Sequence, residues 1–247
     1  MSRGSGCTAP PPRRIGRRER KKLATTAAIR NAALTLALRD GVDNVTIEQI
    51  ADEADIHLRT FFNHFSSKEE AMMATAAIGA EALVEEYRNR PHTESVLQAL
   101  REAVLVVMDQ SHATSHEHIE ALRLVRGTPS LLPQQLAVLA AQEKALAEAI
   151  TERVGLGVPP PGTPTPEPSD EPAKPSPVYP AVCAAAALAT LRVAIDHWLD
   201  RTTPRTPATQ VVDGLRADID QAIATLATGL DWPTPPAIDQ HPGSPRA

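Results

Sequence analysis

Aromatic side chains are nearly missing from this chain. Three Phe, two Trp and two Tyr make up 3% of 247 residues. A core with so few rings is built from Ala, Leu, Val and Ile, and such cores are usually helical bundles. Cysteine is scarcer still. Cys7 and Cys183 are too few for a disulfide framework or a thiolate zinc site of the usual spacing. No run of about 18 apolar residues is free of charge, so no transmembrane helix is expected. The basic N-terminus is not followed by an apolar stretch and does not read as a secretory signal. Nucleophile elbows, phosphate loops and dinucleotide-binding glycine patterns are also lacking. Neither an enzyme nor a bound cofactor is therefore indicated, and the expectation is a soluble cytoplasmic protein that does not engage a membrane.

What is present is a 42% apolar chain whose charge is unevenly placed. The formal net charge is −5, which alone argues against nucleic acid. Residues 1–22, however, carry eight basic groups and one acid, a balance of +7 that leaves −12 for the rest. A basic arm ahead of an acidic body suits a polyanion met by the arm and by whatever adjoins it. The plainer alternative is a solvated, disordered tail.

Prolines draw the boundaries. Of 23, three lie at 10–12, ten between Pro159 and Pro180, and five from Pro233 onward. So many missing amide donors rule out a helix over 158–180, which reads as an extended insertion between two helices. Residues 1–17 and 231–247 read as disordered ends. Between these segments the apolar spacing is helical throughout, with about nine helices and no alternating strand pattern. Ile29, Ala32, Ala33, Leu36 and Ala37 share one face and stop at Asp40-Gly41, a helix-ending signal. Thr46 caps a short helix. Ser67 and Glu70 have the spacing of a capping box, opening a helix that runs to about Arg88. Further helices are expected over 94–111, from Pro133 to Gly155, over 179–201 and over 208–230.

Thr46 to Phe65 reads as helix, tight turn, helix. Ala51 is small where two helices cross, Asp55 sits where the turn needs a left-handed residue, and Ile56 plugs the turn into the core. Residues 57–64 are too few for a helix stable alone, so neighbouring helices must brace it. A short braced helix with a polar outer face is what a helix-turn-helix places in a major groove.

The residues themselves go further. Arg30 to Asp40 followed by Gly41, then Thr46-Ile47-Glu48-Gln49-Ile50-Ala51, Thr60-Phe61-Phe62-Asn63-His64-Phe65 and Ser67-Lys68-Glu69, resemble the N-terminal domain of TetR-family transcriptional regulators. The resemblance covers residues 18–73. It implies a helix-turn-helix DNA-binding domain over 18–70, followed by a larger ligand-binding and dimerisation domain over 71–230. The implied function is a dimeric repressor that leaves double-stranded DNA when a small molecule binds. By that pattern Thr46 meets phosphate, and Leu58 and Arg59 face base edges. Thr60, Phe62 and His64 contact sugar and phosphate, Asn63 belongs to the same set, and Lys68 anchors phosphate. The chemistry fits, since Arg59 can reach a guanine edge bidentately while hydroxyl, imidazole and ammonium groups position the duplex. The chain departs from the pattern at Phe62 (often Tyr), His57 (usually a Ser or Thr cap) and Asp55 (usually Gly). Residues 46–70 sum to −4, so affinity leans on the arm and on Arg30 or Arg39.

Farther along, Leu124 to Leu131, Gln142 to Ile150 and Ala184 to Leu199 resemble the subgroup with an acyl-CoA-like ligand domain, which includes the mycofactocin-system regulators. This implies an apolar channel with a cationic mouth. Val104, Val107, Met108, Leu122 and Val125 are candidates for its wall, and Arg123 and Arg126 for its mouth; ordinary core and surface residues are the alternative. The last two helices should pair with their symmetry mates as a four-helix homodimer interface, with Leu188, Leu191, Ile195, Trp198, Leu215, Ile219 and Ile223 as candidates. An intrachain core is the other reading of Trp198. Such a dimer would face a near-palindromic operator. His112 and His116 share a helical spacing, but His118 cannot join them, so His112, His116, Glu117 and His118 read as a polar loop and helix start rather than a metal site. A second functional class stays open: a helical small-molecule-binding protein or enzyme that has lost DNA binding.

Overall fold

The computed structural model describes residues 16–110, 116–155, 176–203 and 206–229. Among these, every regular element is helical: α1 (Arg17–Asp40), α2 (Ile47–Glu53), α3 (Leu58–Phe62), α4 (Lys68–Asn89), α5 (Val96–Gln110), α6 (His116–Gly127), α7 (Leu132–Arg153), α8 (Tyr179–Arg201) and α9 (Ala208–Thr228). Single 3-10 turns sit at Val42–Asn44 and Pro129–Leu131. The all-α architecture is as the apolar spacing predicts. The expected arm up to 15, the Pro-rich stretch 158–175 and the tail from 231 lie outside the described residues. Two expected boundaries move. Arg17 already opens α1, and α8 starts at Tyr179 with Pro180 in its first turn, where a missing amide donor costs nothing.

Packing groups the described residues of Met1–Ala82 with those of Ser115–Gln142, and those of Leu83–Thr114 with those of Glu143–Ala247. In the first unit, Ile29, Ala33, Leu36 and Ala37 of α1 meet Ile50 of α2, Phe61 of α3, and Ala71 to Met73 of α4. Leu131, from the 3-10 turn after α6, is fully buried in the same cluster, and Leu124, Val125 and Val138 pack against it. The Ser130 hydroxyl donates to Asp43 Oδ1 at 2.7 Å, tying that turn to the one before α2. The small helix-turn-helix core is thus completed by residues that come some sixty positions later in the chain.

In the second unit α8 packs along α9, and α5 also meets α9. Trp198 is 2% exposed, and its indole Nε1–H donates to the Val211 carbonyl at 3.0 Å. Its ring lies so near the α9 backbone that a Cβ at Gly214 would stand 3.7 Å from it. Arg101 grips Asp220 with two bonds of 2.6 and 3.1 Å, Arg216 grips Asp109, and Arg201 pairs with Asp218. Arg153, at the end of α7, donates to the carbonyls of Tyr87, Arg90, Pro91 and Glu94 and lies over the Tyr87 ring at 4.8 Å. The Tyr87 and Arg90 carbonyls lie at the end of α4 and the other two in the turn that leads to α5, so one guanidinium ties that corner together. By length and composition α8 is apolar enough to cross a membrane, which the charge-free-run criterion missed. It carries Arg192, Asp196, Asp200 and Arg201, and one side is buried on its neighbours.

Candidate nucleic-acid interface

The reading head is built from two short helices and the turn between them. Thr46 caps α2 as its sequence position predicts. Its hydroxyl accepts from Gln49 N–H at 3.2 Å, and Gln49 Oε1 accepts from Thr46 N–H at 2.8 Å, closing a full capping box. Because the Thr46 oxygen accepts there, its own proton is the one left for an outside acceptor. At the far end of α2, Asp55 has φ +51, the single non-glycine residue with positive φ among those described. Asp55 N–H bonds to Asp52 O and Ile56 N–H to Ala51 O, the paired bonds of a Schellman stop. That stop turns the chain sharply enough to set α3 across α2.

α3 has five residues and no side-chain cap, since His57 at its N-cap makes no such bond. Neighbours hold it in place. Phe61 is fully buried and meets the Phe62 ring edge-on at 5.6 Å and Phe65 at 6.0 Å. Just beyond α3, His64 Nδ1 lies 2.8 Å from the Thr26 hydroxyl of α1. The Thr26 hydroxyl donates to Lys22 O, so it must accept from His64. This fixes the proton on Nδ1 and leaves Nε2 for a partner. Thr26 stands 38 positions away in the chain, and no spacing signal marks the contact.

The outer face of α3 presents Leu58, Arg59 and Phe62, with Asn63 as its C-cap; all four are exposed, and Thr60 is half-buried. Lys68 is arranged differently from the expected phosphate anchor. Its ammonium donates to the carbonyls of Val45 at 2.7 Å, Val42 at 3.0 Å and Asp43 at 3.3 Å, which occupies all three of its protons. Lys68 therefore pins the turn before α2 to the start of α4. The capping box beside it is also shifted by one residue. Ser67 Oγ accepts from Glu70 N–H, but the Glu70 carboxylate takes the amide and hydroxyl of Ser66.

Charge around this face is divided. Arg39 bonds both oxygens of Asp40 at 2.9 Å, holding that carboxyl below its ordinary range, so Arg39 is partly neutralised as a phosphate contact. Arg30 is half-buried, and its Nε is buried without a partner. Arg17, Arg18, Arg20, Lys21 and Lys22 are exposed on the first turns of α1. Five cations at a helix N-terminus oppose its macrodipole. A polyanion would relieve that local conflict.

The expected ligand and dimer residues separate on inspection. Val125 is half-buried and packs against the helix-turn-helix core. Leu122 and Arg123 are half-buried on α6, where Arg123 pairs with Glu120 at 2.6 Å, and Arg126 is exposed on the last turn. Val104 of α5 is buried, and Val107 and Met108 are half-buried in the second unit. The buried Tyr87 hydroxyl of that unit, absent from the sequence expectations, lies near the Arg153 guanidinium, and burial pushes its pKa up to about 12. Leu188, Leu191, Trp198, Leu215, Ile219 and Ile223 are buried within the single chain, the intrachain reading of this set, and offer little surface to a second copy. Helices of this length have two faces, and the bulkier residues take the intrachain one. Ile195 is half-buried. The outward face of α8 carries Val182 and Val193, 62% and 57% exposed, with Ala189 between them.

Comparison with known proteins agrees with this layout. The family described as bacterial regulatory proteins, tetR family, matches residues 29–72, and the MftR C-terminal domain matches residues 94–163. The HTH-type transcriptional regulator TcmR of Streptomyces glaucescens is 35% identical over 155 residues, 60% of this chain and 69% of that protein. Among solved structures, the fatty acid degradation regulator FadR of Bacillus halodurans superposes with a TM-score of 0.53 at 16% identity, covering 83% of this chain and 96% of that one. Thermus thermophilus FadR, a transcriptional repressor in complex with lauroyl-CoA, gives 0.51 at 19% identity, covering 89% and 100%. At these identities the structural likenesses establish the fold.

Proposed function

This chain belongs to the TetR family of transcriptional regulators, and on that premise we propose that it is a cytoplasmic, homodimeric repressor released from its operator by an acyl-CoA-like effector. The observation that carries the DNA-binding part is the reading head: a capped α2, a Schellman turn at Asp55 and a braced α3 with Leu58, Arg59, Phe62 and Asn63 outward. Arg59 reads a base edge, and the Thr46 hydroxyl, His64 Nε2 and the cations of early α1 meet phosphates. Lys68 acts indirectly, by holding the turn that positions Thr46.

Two copies pair through the outward Val182, Ala189 and Val193 face of α8, presenting two α3 helices to a near-palindromic site. The effector part is supported by the match to the MftR C-terminal domain and by the lauroyl-CoA complex of the Thermus relative. Val107 and Met108 of α5 are the candidates for an acyl chain, and the buried Tyr87 hydroxyl for its polar end. Release requires the effector to favour one of two states of the dimer.

The test is fluorescence anisotropy on the DNA just upstream of the gene, titrated with long-chain acyl-CoA and with free CoA. Saturable binding reversed by the acyl-CoA alone supports the proposal. Binding indifferent to both discards the effector class and keeps the regulator. Absence of specific binding to any DNA favours the helical small-molecule-binding alternative, whose basis is the −4 balance over residues 46–70.

A further inference from the structure

Two of the large exposed hydrophobic side chains sit on the five residues of α3: Leu58 at 40% and Phe62 at 54%. They are four positions apart, so they share one face of the helix about one turn apart. The buried Phe61 meets the Phe62 ring edge-on, at 5.6 Å and 86°. A ring held outward beside Arg59, on the surface that faces DNA, gains nothing from phosphate, since Phe has no hydroxyl to donate. The polar atoms of base edges offer it nothing either. The major groove holds one apolar group, the C5-methyl of thymine.

Resting on the DNA-binding reading above, we infer that Leu58 and Phe62 read thymine methyl groups. The half-site then combines a guanine read by Arg59 with thymines met by Leu58 and Phe62. Four residues of helix rise about 6 Å, close to two base-pair steps of about 3.4 Å, so the two thymines fall within a few base pairs of each other. The local charge fits this division. With a −4 balance over residues 46–70, the reading head has little cationic affinity to spend, and neutral contacts must discriminate.

The test begins by selecting a binding site from a random duplex pool with the full-length protein. Each thymine of that site is then replaced singly by deoxyuridine, which removes the methyl and keeps every hydrogen-bonding group. Two positions per half-site should each lose about four-fold in affinity, the worth of one buried methyl group. Leu58→Ala should abolish that discrimination at one position, Phe62→Ala should abolish it at another, and Arg59→Ala should leave both. Both apolar side chains are exposed, so the alanine variants should keep the wild-type helical signal, and the deoxyuridine scan needs no variant. A selected site that binds tightly with no deoxyuridine effect overturns this inference and leaves the DNA-binding reading standing. A pool that yields no enriched site overturns both.

Discussion

At Asp55 a carboxylate side chain occupies a backbone position, φ +51, that favours glycine. Left-handed backbone costs a non-glycine residue about 1–2 kcal/mol, less for Asp. Asp55→Gly should raise stability by about 0.5–1 kcal/mol in thermal or denaturant unfolding, and removing a carboxylate beside the groove should tighten DNA binding. A destabilised variant would mean that the Asp55 side chain makes contacts that outweigh the strain. Lys68 offers a sharper separation of roles. If its ammonium belongs to the carbonyls of Val42, Asp43 and Val45, Lys68→Met should cost about 1–3 kcal/mol of stability and weaken binding to all sequences. Its salt dependence should match the wild type. A slope reduced by roughly 0.9, the signature of one lost phosphate, would return Lys68 to the DNA backbone.

The turn at Asp55, the Thr46 cap and the inner face of α1 at Ile29, Ala32, Ala33, Leu36 and Ala37 were all legible in the sequence, because each depends on residues within a few positions of one another. The Lys68 bonds and the Thr26–His64 contact were not, since they join residues 23 to 38 positions apart that no period links.

Elements show the same contrast. Apart from α6, the helices were legible from apolar spacing and caps. Their inner and outer faces were not, where both faces are apolar. On α8 the leucines and Trp198 turn inward to α9, and the outward stripe is valine and alanine, so composition alone could not tell core from interface. Leu131 shows a related limit: its place in the helix-turn-helix core depends on tertiary packing. Arg153 is the strongest single brace that sequence reasoning missed. It stands at the end of α7, where a basic residue reads as a response to that helix's own dipole, yet its bonds close the end of α4 instead. Arg153→Met should cost about 2–4 kcal/mol, because four carbonyls lose a charged donor at once. Unfolding monitored by circular dichroism checks this, and a loss below about 0.5 kcal/mol would mean that water replaces the guanidinium without penalty.

For the whole molecule, the question is how an acidic chain holds a polyanion. The charge map answers by segregation: +7 over residues 1–22 against −12 elsewhere. The proposed dimer would double the number of basic arms as well as of reading heads. Val182→Glu with Val193→Glu should give a folded monomer by analytical ultracentrifugation and a steep loss of affinity for a palindromic site. An unchanged dimer would move the interface off this face of α8. Leu191→Glu, by contrast, should unfold the chain, because that residue is buried inside one protomer.

The central claim is that this chain grips DNA through phosphates met by early α1 and the reading head. Its most direct test is the salt dependence of binding to the selected site. Log affinity should fall linearly with log salt, at roughly −0.9 per phosphate neutralised. Neutralising Arg17, Arg18, Arg20, Lys21 and Lys22 to Gln should flatten that line by several units. A slope near zero, or one unchanged by removing those five cations, would contradict the account.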